Sequence, residues 1–207
     1  PTPMPYPSQR SAVLANNMVV ASQPLAGQAG LNMLAKGGNA VDAVLAAAIA
    51  LTIVEPTGNG IGSDAFAILW DGKKLHGLNA SGRAPAAWTA ERFKKISGIP
   101  ERGWDTVTVP GAVGGWVELS KRHGKLPFEN LFEPAINYAH NGFFISPIIG
   151  KYWSIGAQLL KDQPAFSDHL MPNGRAPVAG EKFVNLNGAA TLREIAQTKG
   201  ESFYCGA

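Results

Sequence analysis

Residues 40–54 are apolar almost all round, with Ala43, Ala46, Ala47, Ala48 and Ala50 among larger aliphatics. A helix without a polar face belongs inside a layered core, and its alanines allow close approach to a sheet. Asn39 offers an N-cap, and Asp42 falls in the first turn, where the helix dipole favours an acid. Upstream, Met18-Val-Val-Ala21 reads as a short apolar strand. Ser22 then offers a cap, Pro24 sits in a first turn and Gly37 stops the chain after Lys36, which predicts a helix over 23–36. Asp71-Gly72 separates two apolar runs, 65–70 and 74–79. That pair signals a two-residue hairpin turn, and strands apolar on both faces predict a central position in a sheet. Further helices are expected at 111–123, 134–141, 147–160 and 189–199. Pro110, Pro134 and Pro147 mark starts; Gly124, Gly142 and Gly200 mark stops. Residues 1–10, with alternating prolines, read as an extended arm. Strand, two helices, hairpin and helical run do not make βαβ units. Antiparallel strands covered by helices, an α+β layered sandwich, fit better.

The chain has 207 residues, 45% hydrophobic and 16% charged. Apolar content is ample for a buried core, and charge falls below the roughly 25% of an average globular chain. Such a chain is expected to bury part of its surface against something else. The formal net charge of +3 comes from scattered residues, so nucleic acid is not an expected partner. The apolar run from Ala43 to Val54 is 12 residues long, short of the roughly 20 that span a bilayer. One cysteine, Cys205, excludes an internal disulfide and a paired-cysteine metal site. The N-terminal prolines contain no apolar core of the kind a signal peptide needs.

Few residues offer chemistry of their own. Gly58-Asn-Gly-Ile-Gly62 follows a helix and precedes a strand, the reverse of the order a dinucleotide loop requires, so a tight turn is the expected role. His76, His123, His140 and His169 match no zinc spacing, and neither a metal nor a cofactor is expected. Asn79-Ala-Ser-Gly-Arg-Ala-Pro85 leaves the second hairpin strand and turns at Gly82 and Pro85. Strand-end loops of this kind are where layered enzymes place substrate contacts. For Arg83 the competing role is to cap a helix or pair with a surface acid.

Several segments together carry a family resemblance. Gly37-Gly38-Asn39-Ala40-Val41-Asp42-Ala43 resembles the GGNAVDA signature of the gamma-glutamyltransferase (gamma-glutamyltranspeptidase) family, N-terminal-nucleophile hydrolases that act on glutathione. Val109-Pro-Gly-Ala-Val-Gly-Gly-Trp116, Gly124-Lys-Leu-Pro127, Leu131-Phe-Glu-Pro-Ala135, Ala189-Ala-Thr-Leu-Arg193 and Phe203-Tyr204 resemble family blocks in the family order. The likeness runs from about residue 11 to the C-terminus. It implies that 11–207 is the N-terminal portion of a large subunit, with the αββα four-layer sandwich of that superfamily, here partial. It also implies autoprocessing into a heterodimer. The new N-terminal threonine of the small subunit would attack the acyl group with its own amine as base. In family order that threonine lies beyond position 207, so no catalytic residue is expected in this chain, and the chain alone is expected to be inactive. Its expected partners are the rest of the large subunit, the small subunit, and glutathione or another gamma-glutamyl amide. Family members are periplasmic or secreted in many cases and cytoplasmic in others.

One departure bears on the substrate. The family binds the glutamyl α-carboxylate with an arginine four residues before the proline of the strand-end loop. Here that place is held by Ser81, and Arg83 stands two residues closer to Pro85. A serine hydroxyl cannot make the two parallel hydrogen bonds of a guanidinium. Either Arg83 reaches the same pocket by another path, or the substrate differs. Along an extended chain both side chains would share a face, with Arg83 about 6–7 Å further on. Ser81 and Arg83 are therefore the expected substrate-binding residues. An acylase of the same fold, acting on another acyl amide such as a cephalosporin-type side chain, is the alternative; a non-catalytic scaffold is a third. The family's glycine-rich loop, here Gly58–Gly62, is implied to lie beside the active site.

Overall fold

The computed structural model describes residues 13–95 and 98–206; the arm expected at 1–10 lies outside them. In chain order the elements are α1 (Pro24–Ala35), α2 (Ala40–Val54), β1 (Ala65–Trp70), β2 (Leu75–Ala80), α3 (Ala90–Lys95), α4 (Ala112–His123), α5 (Glu133–Asn141), β3 (Phe143–Phe144), α6 (Pro147–Leu160), α7 (Pro164–Leu170), β4 (Lys182–Phe183), α8 (Leu186–Thr198) and α9 (Glu201–Cys205).

The turn between α1 and α2 organises the helical core. Gly37 adopts φ +85°, and the Gly37 and Gly38 N–H groups donate to the carbonyls of Leu34 and Met33 at 3.0 and 2.9 Å. That pattern closes a helix with a left-handed residue, which glycine adopts without steric cost. Asn39 then caps α2 and accepts from Val41 N and Asp42 N at 2.9 and 3.1 Å. Asp42 reaches back to accept from Asn39 N at 2.8 Å, completing a reciprocal capping box. The Asp42 carboxylate is fully buried, at 0% exposure. It also accepts from Lys125 N at 3.0 and 3.1 Å and from Leu126 N at 3.2 Å, just past the end of α4. Asn39 Nδ2 donates to the His123 carbonyl at 2.7 Å. The start of α2 is thereby stitched to the end of α4. At α1 the expected Ser22 cap is replaced: Gln23 accepts from Leu25 N, while the Ser22 hydroxyl donates to Glu55.

α2 lies at the centre, with α1, α4, α5 and the 3-10 turn Phe128–Phe132 packed around it, and α8 against α5 and that turn. Its alanines were expected to meet a sheet; they seat helices instead. The helix that meets the sheet is α4. A Cβ on Gly115 would lie 2.8 Å from the Ala80 methyl, so the glycine lets α4 press against the hairpin. Met18–Ala21 does not form a strand. No described segment offers it an edge to pair with, and Val19 packs instead over Gly30.

β1 and β2 pair antiparallel, Ala65 opposite Ala80 and Trp70 opposite Leu75. The register leaves a four-residue turn, 71–74, rather than the expected two. Only Gly72 has positive φ there. Asp71 replaces the second such residue by accepting from Lys73 N and Lys74 N. Bonding to His76 and these two N–H groups holds the Asp71 carboxyl well below the usual carboxylate range. The inward face carries Ala65, Ala67, Leu69, Leu78 and Ala80; the outward face carries Phe66, Ile68, Trp70 and Leu75, exposed by 67, 82, 62 and 62%. The hairpin was expected to be covered on both faces, and the described residues cover one.

Between α5 and α8 the chain makes an excursion closed by the short β3–β4 pair. Phe143, Phe183 and Trp153 pack edge to face at its base, and Trp153 Nε1 donates to the Leu170 carbonyl at 2.7 Å. The α+β character is present. The four-layer αββα sandwich is not contained in the chain: its described residues form helices against one face of a hairpin, plus this small second sheet.

Two outcomes follow from the packing. Asp42→Ala leaves buried N–H donors without acceptors and removes a cap. It is expected to cost about 2–5 kcal/mol, read as a lowered denaturant midpoint with unchanged slope; an unchanged midpoint would show that the turn holds itself. Produced without further chain, residues 1–207 are expected to bind an apolar-surface dye and self-associate through the outer hairpin face. Ile68→Lys should reduce both, whereas a monodisperse monomer that binds no dye would count against that face being made to be covered.

Candidate functional site

At the open end of the hairpin, β2 runs out at Ala80 and residues 81–83 cross residues 108–111, the approach to α4. Four features fix the crossing. Val109 N donates to the Arg83 carbonyl at 2.9 Å, and the Thr108 hydroxyl donates to the Ser81 carbonyl at 3.3 Å. Gly82 has φ +79°, and a Cβ there would fall 1.9 Å from the Val109 carbonyl oxygen. A Cβ on Gly111 would fall 2.1 Å from the Ala80 carbonyl oxygen. Two backbones pass so closely that only glycine fits on each.

The crossing floors an open cleft of about 570 Å³, lined by Ser81, Arg83, Pro110, Gly111, Gly114 and Tyr204 among others. Ser81 is half-buried; its N–H donates to Asn79 Oδ1 at 3.0 Å. Arg83 is exposed. Unlike Arg92, Arg122 and Arg175, which pair with Asp105, Glu118 and Glu181, Arg83 has no carboxylate partner among the described residues. The competing surface ion pair is thus not formed. The extended-chain argument for a shared face fails, because Gly82 bends the chain into the left-handed region. Both side chains nevertheless line the same cleft.

α4 points its N-terminus at the cleft. Its N-cap, Gly111, has no side chain to offer. Ala112 N donates to the Ser63 carbonyl at 3.0 Å, and Gly114 N to the Tyr204 hydroxyl at 2.9 Å. The glycine loop 58–62 precedes that serine and is not among the residues that line the cleft. Tyr204 lines the cleft, which pattern reading missed: Phe203-Tyr204 stood out as a block without a role, and nothing local shows that its hydroxyl reaches back to α4.

A smaller cavity of about 220 Å³ lies at the other end of the hairpin, lined by His76, His123, Glu118 and Arg122 among others. Around it His76 bonds Asp71 at 2.7 Å, His123 packs against the His76 ring, and Arg122 pairs with Glu118. Among the described residues no group of three or more His, Cys, Asp or Glu is placed to hold a metal ion, and no helix is long and apolar enough to cross a membrane. Among the described residues no hydroxyl lining the cleft is paired with a base. The cleft offers a free guanidinium, a small hydroxyl and a helix N-terminus.

Comparison with known proteins shows the family. The gamma-glutamyltranspeptidase profile matches residues 26–207. The glutathione hydrolase-like YwrD proenzyme of Bacillus subtilis is 38% identical over 200 residues, 95% of this chain and 38% of that protein. The acylase ACY 1 proenzyme of Pseudomonas sp. SE83 is 34% identical over 224 residues, 99% of this chain and 40% of that protein. Among solved structures, cephalosporin acylase from Bacillus halodurans superposes with a TM-score of 0.91 at 51% identity, covering 100% of this chain and 40% of that one. Helicobacter pylori gamma-glutamyltranspeptidase superposes at 0.88 with 27% identity, covering 94% and 58%. The chain spans about two-fifths of the length of these curated relatives. It belongs to the gamma-glutamyltranspeptidase family and carries a partial form of that fold.

Proposed function

We propose that this member of the gamma-glutamyltranspeptidase family, over residues 11–207, forms the N-terminal part of the large subunit of an autoprocessed heterodimer with the αββα sandwich. The complete enzyme transfers or hydrolyses the acyl group of a small amide, glutathione or another gamma-glutamyl amide. An N-terminal threonine outside this stretch attacks the amide carbonyl. Its own amine takes the hydroxyl proton and passes it to the leaving amine, and a threonyl ester forms. Water or an acceptor amine then attacks the ester and frees the threonine. This chain contributes binding: the cleft holds the acyl end of the substrate, and Arg83 grips its carboxylate with two parallel hydrogen bonds while Ser81 contacts it from the side. The observation that carries the reading is Arg83 itself, exposed and unpaired among the described residues, beside Ser81 in an open cleft at the end of the hairpin.

A second reading has its own support. Ser81 stands where the family keeps its carboxylate anchor, and the solved structure 51% identical to this chain is that of a cephalosporin acylase. An acylase for a different carboxylate-bearing acyl group uses the same cleft and the same arginine. A scaffold without activity is the reading that any turnover by the matured protein removes.

The full-length, matured protein is expected to hydrolyse an acyl anilide with a carboxylate on the acyl chain. Arg83→Ala should lower its kcat/KM by about 2–5 kcal/mol, and Arg83→Lys should restore only part, because the planar fork is gone. Residues 1–207 alone should show no turnover of γ-glutamyl-p-nitroanilide above background. An undiminished kcat/KM in Arg83→Ala would leave the arginine a surface residue, and activity of 1–207 alone would place the nucleophile within this stretch.

A further inference from the structure

Tyr204 lies in α9, ninety residues along the chain from the α4 N–H that it binds. Its hydroxyl accepts from Gly114 N at 2.9 Å and donates to the Pro110 carbonyl at 2.8 Å. Gly114 is the third residue of α4, so its N–H is one of the orphan donors of a helix start. Gly111 cannot cap it, and the tyrosine oxygen does so from a distance. The ring packs edge to face on Phe203 at 5.1 Å and remains 44% exposed. Most of what Tyr204 supplies at this position is therefore its pair of hydrogen bonds.

Those bonds lead to the anchor. Pro110 follows Val109, whose N–H holds the Arg83 carbonyl and whose own oxygen blocks the space beside Gly82. One side of the 108–111 segment is held by Tyr204 and the other by residues 80–83. We propose that Tyr204 is a positioning residue for carboxylate recognition: it fixes the Pro110–Gly114 start of α4 and, through Val109, sets where Arg83 stands in the cleft. The inference rests on Arg83 as the carboxylate anchor. The hydroxyl's proton and one lone pair are committed, so it positions and does not transfer protons. Without it, Pro110 O and Gly114 N face an open cleft where water can satisfy them. The loss then falls on the geometry of Arg83 more than on stability.

The test uses the full-length, matured protein with two probes, N-glutaryl-p-nitroanilide, whose acyl chain ends in a carboxylate, and N-pentanoyl-p-nitroanilide, of equal chain length and neutral. Tyr204→Phe is expected to raise KM for the glutaryl probe about 3- to 10-fold, the scale of one hydrogen bond. The kcat should change less than about twofold, and kinetics with the pentanoyl probe should not move. In an Arg83→Ala background the same substitution should add nothing, since both act through one contact. Equal losses on both probes, or a full additive effect without Arg83, would overturn the proposal and make Tyr204 a general structural residue. A silent Tyr204→Phe beside a damaging Arg83→Ala would overturn it while leaving the arginine's role intact. A silent Arg83→Ala, or no turnover of the glutaryl probe by the parent protein, would overturn the functional reading and this inference with it. Should Tyr204→Phe fail to mature, Gly114→Ala replaces it. Its added methyl would lie 3.3 Å from the Tyr204 hydroxyl and crowd the same contact without harming the helix. The same selective KM rise is then expected, and its absence overturns the proposal.

Discussion

A buried carboxylate with no ion-pair partner among the described residues holds the helical core in register. Asp42 has no exposed surface and accepts from the backbone N–H groups of Asn39, Lys125 and Leu126. A charge taken out of water must be met by donors or it neutralises. Backbone donors meet it without ordering a long cationic side chain, and the start of α2 adds its dipole. The arrangement needs space. A Cβ on Gly38 would come within 3.0 Å of one carboxylate oxygen, and one on Gly124 within 3.1 Å of the other. Gly38 therefore serves the carboxylate as well as the turn.

From that point the geometry of the cleft follows. Asp42 and Asn39 fix the C-terminal end of α4; Ser63 and Tyr204 fix its N-terminal end. A twelve-residue helix held at both ends can serve as a rigid bar. Gly115 allows that bar to lie close under β2, which brings the crossing of 80–83 with 108–111 to the mouth of the cleft. The constraint is steric before it is chemical. Gly82 and Gly111 are where two backbones pass at distances no side chain permits, and Arg83 leaves directly from that crossing.

Much of this was legible in the chain. The bounds of α2, β1 and α6 follow directly from apolar pattern, Asn39, Asp71 and Pro147. Local signals also placed the end of α1 at Gly37 and the start of α4 just after Pro110. What stayed hidden depends on contacts between distant residues. The four-residue turn after Trp70 is set by the Asp71 side chain and by register, not by the Asp-Gly pair. Met18–Ala21 has the composition of a strand, but a strand is a pairing and no described edge meets it. β3 and β4 are two residues each, too short for periodicity to register. In the cleft, the strand-end loop carrying Ser81 and Arg83 was visible as an irregular, glycine-marked segment. Tyr204 was not, because its two bonds span ninety residues or more.

The bend at Gly82 changes what the displacement of the arginine means. Had the chain stayed extended, moving a cation two residues along would have kept its face and shifted its reach. A left-handed residue between Ser81 and Arg83 cancels that parity, so position along the sequence no longer sets direction. The carbonyl bond to Val109 and the contact beneath Gly82 set it instead. A carboxylate responds to the charge and planar fork of a guanidinium wherever its stem begins. Under the proposed function, what the displacement would alter is the path of the acyl chain between that carboxylate and the amide to be cut. With a small hydroxyl at position 81 and the cation further along the wall, an acyl group would then be read by its length and by where its charge lies. In that proposal the distance from Arg83 to the attacking threonine, more than the presence of an arginine, would separate a gamma-glutamyl hydrolase from an acylase built on the same cleft.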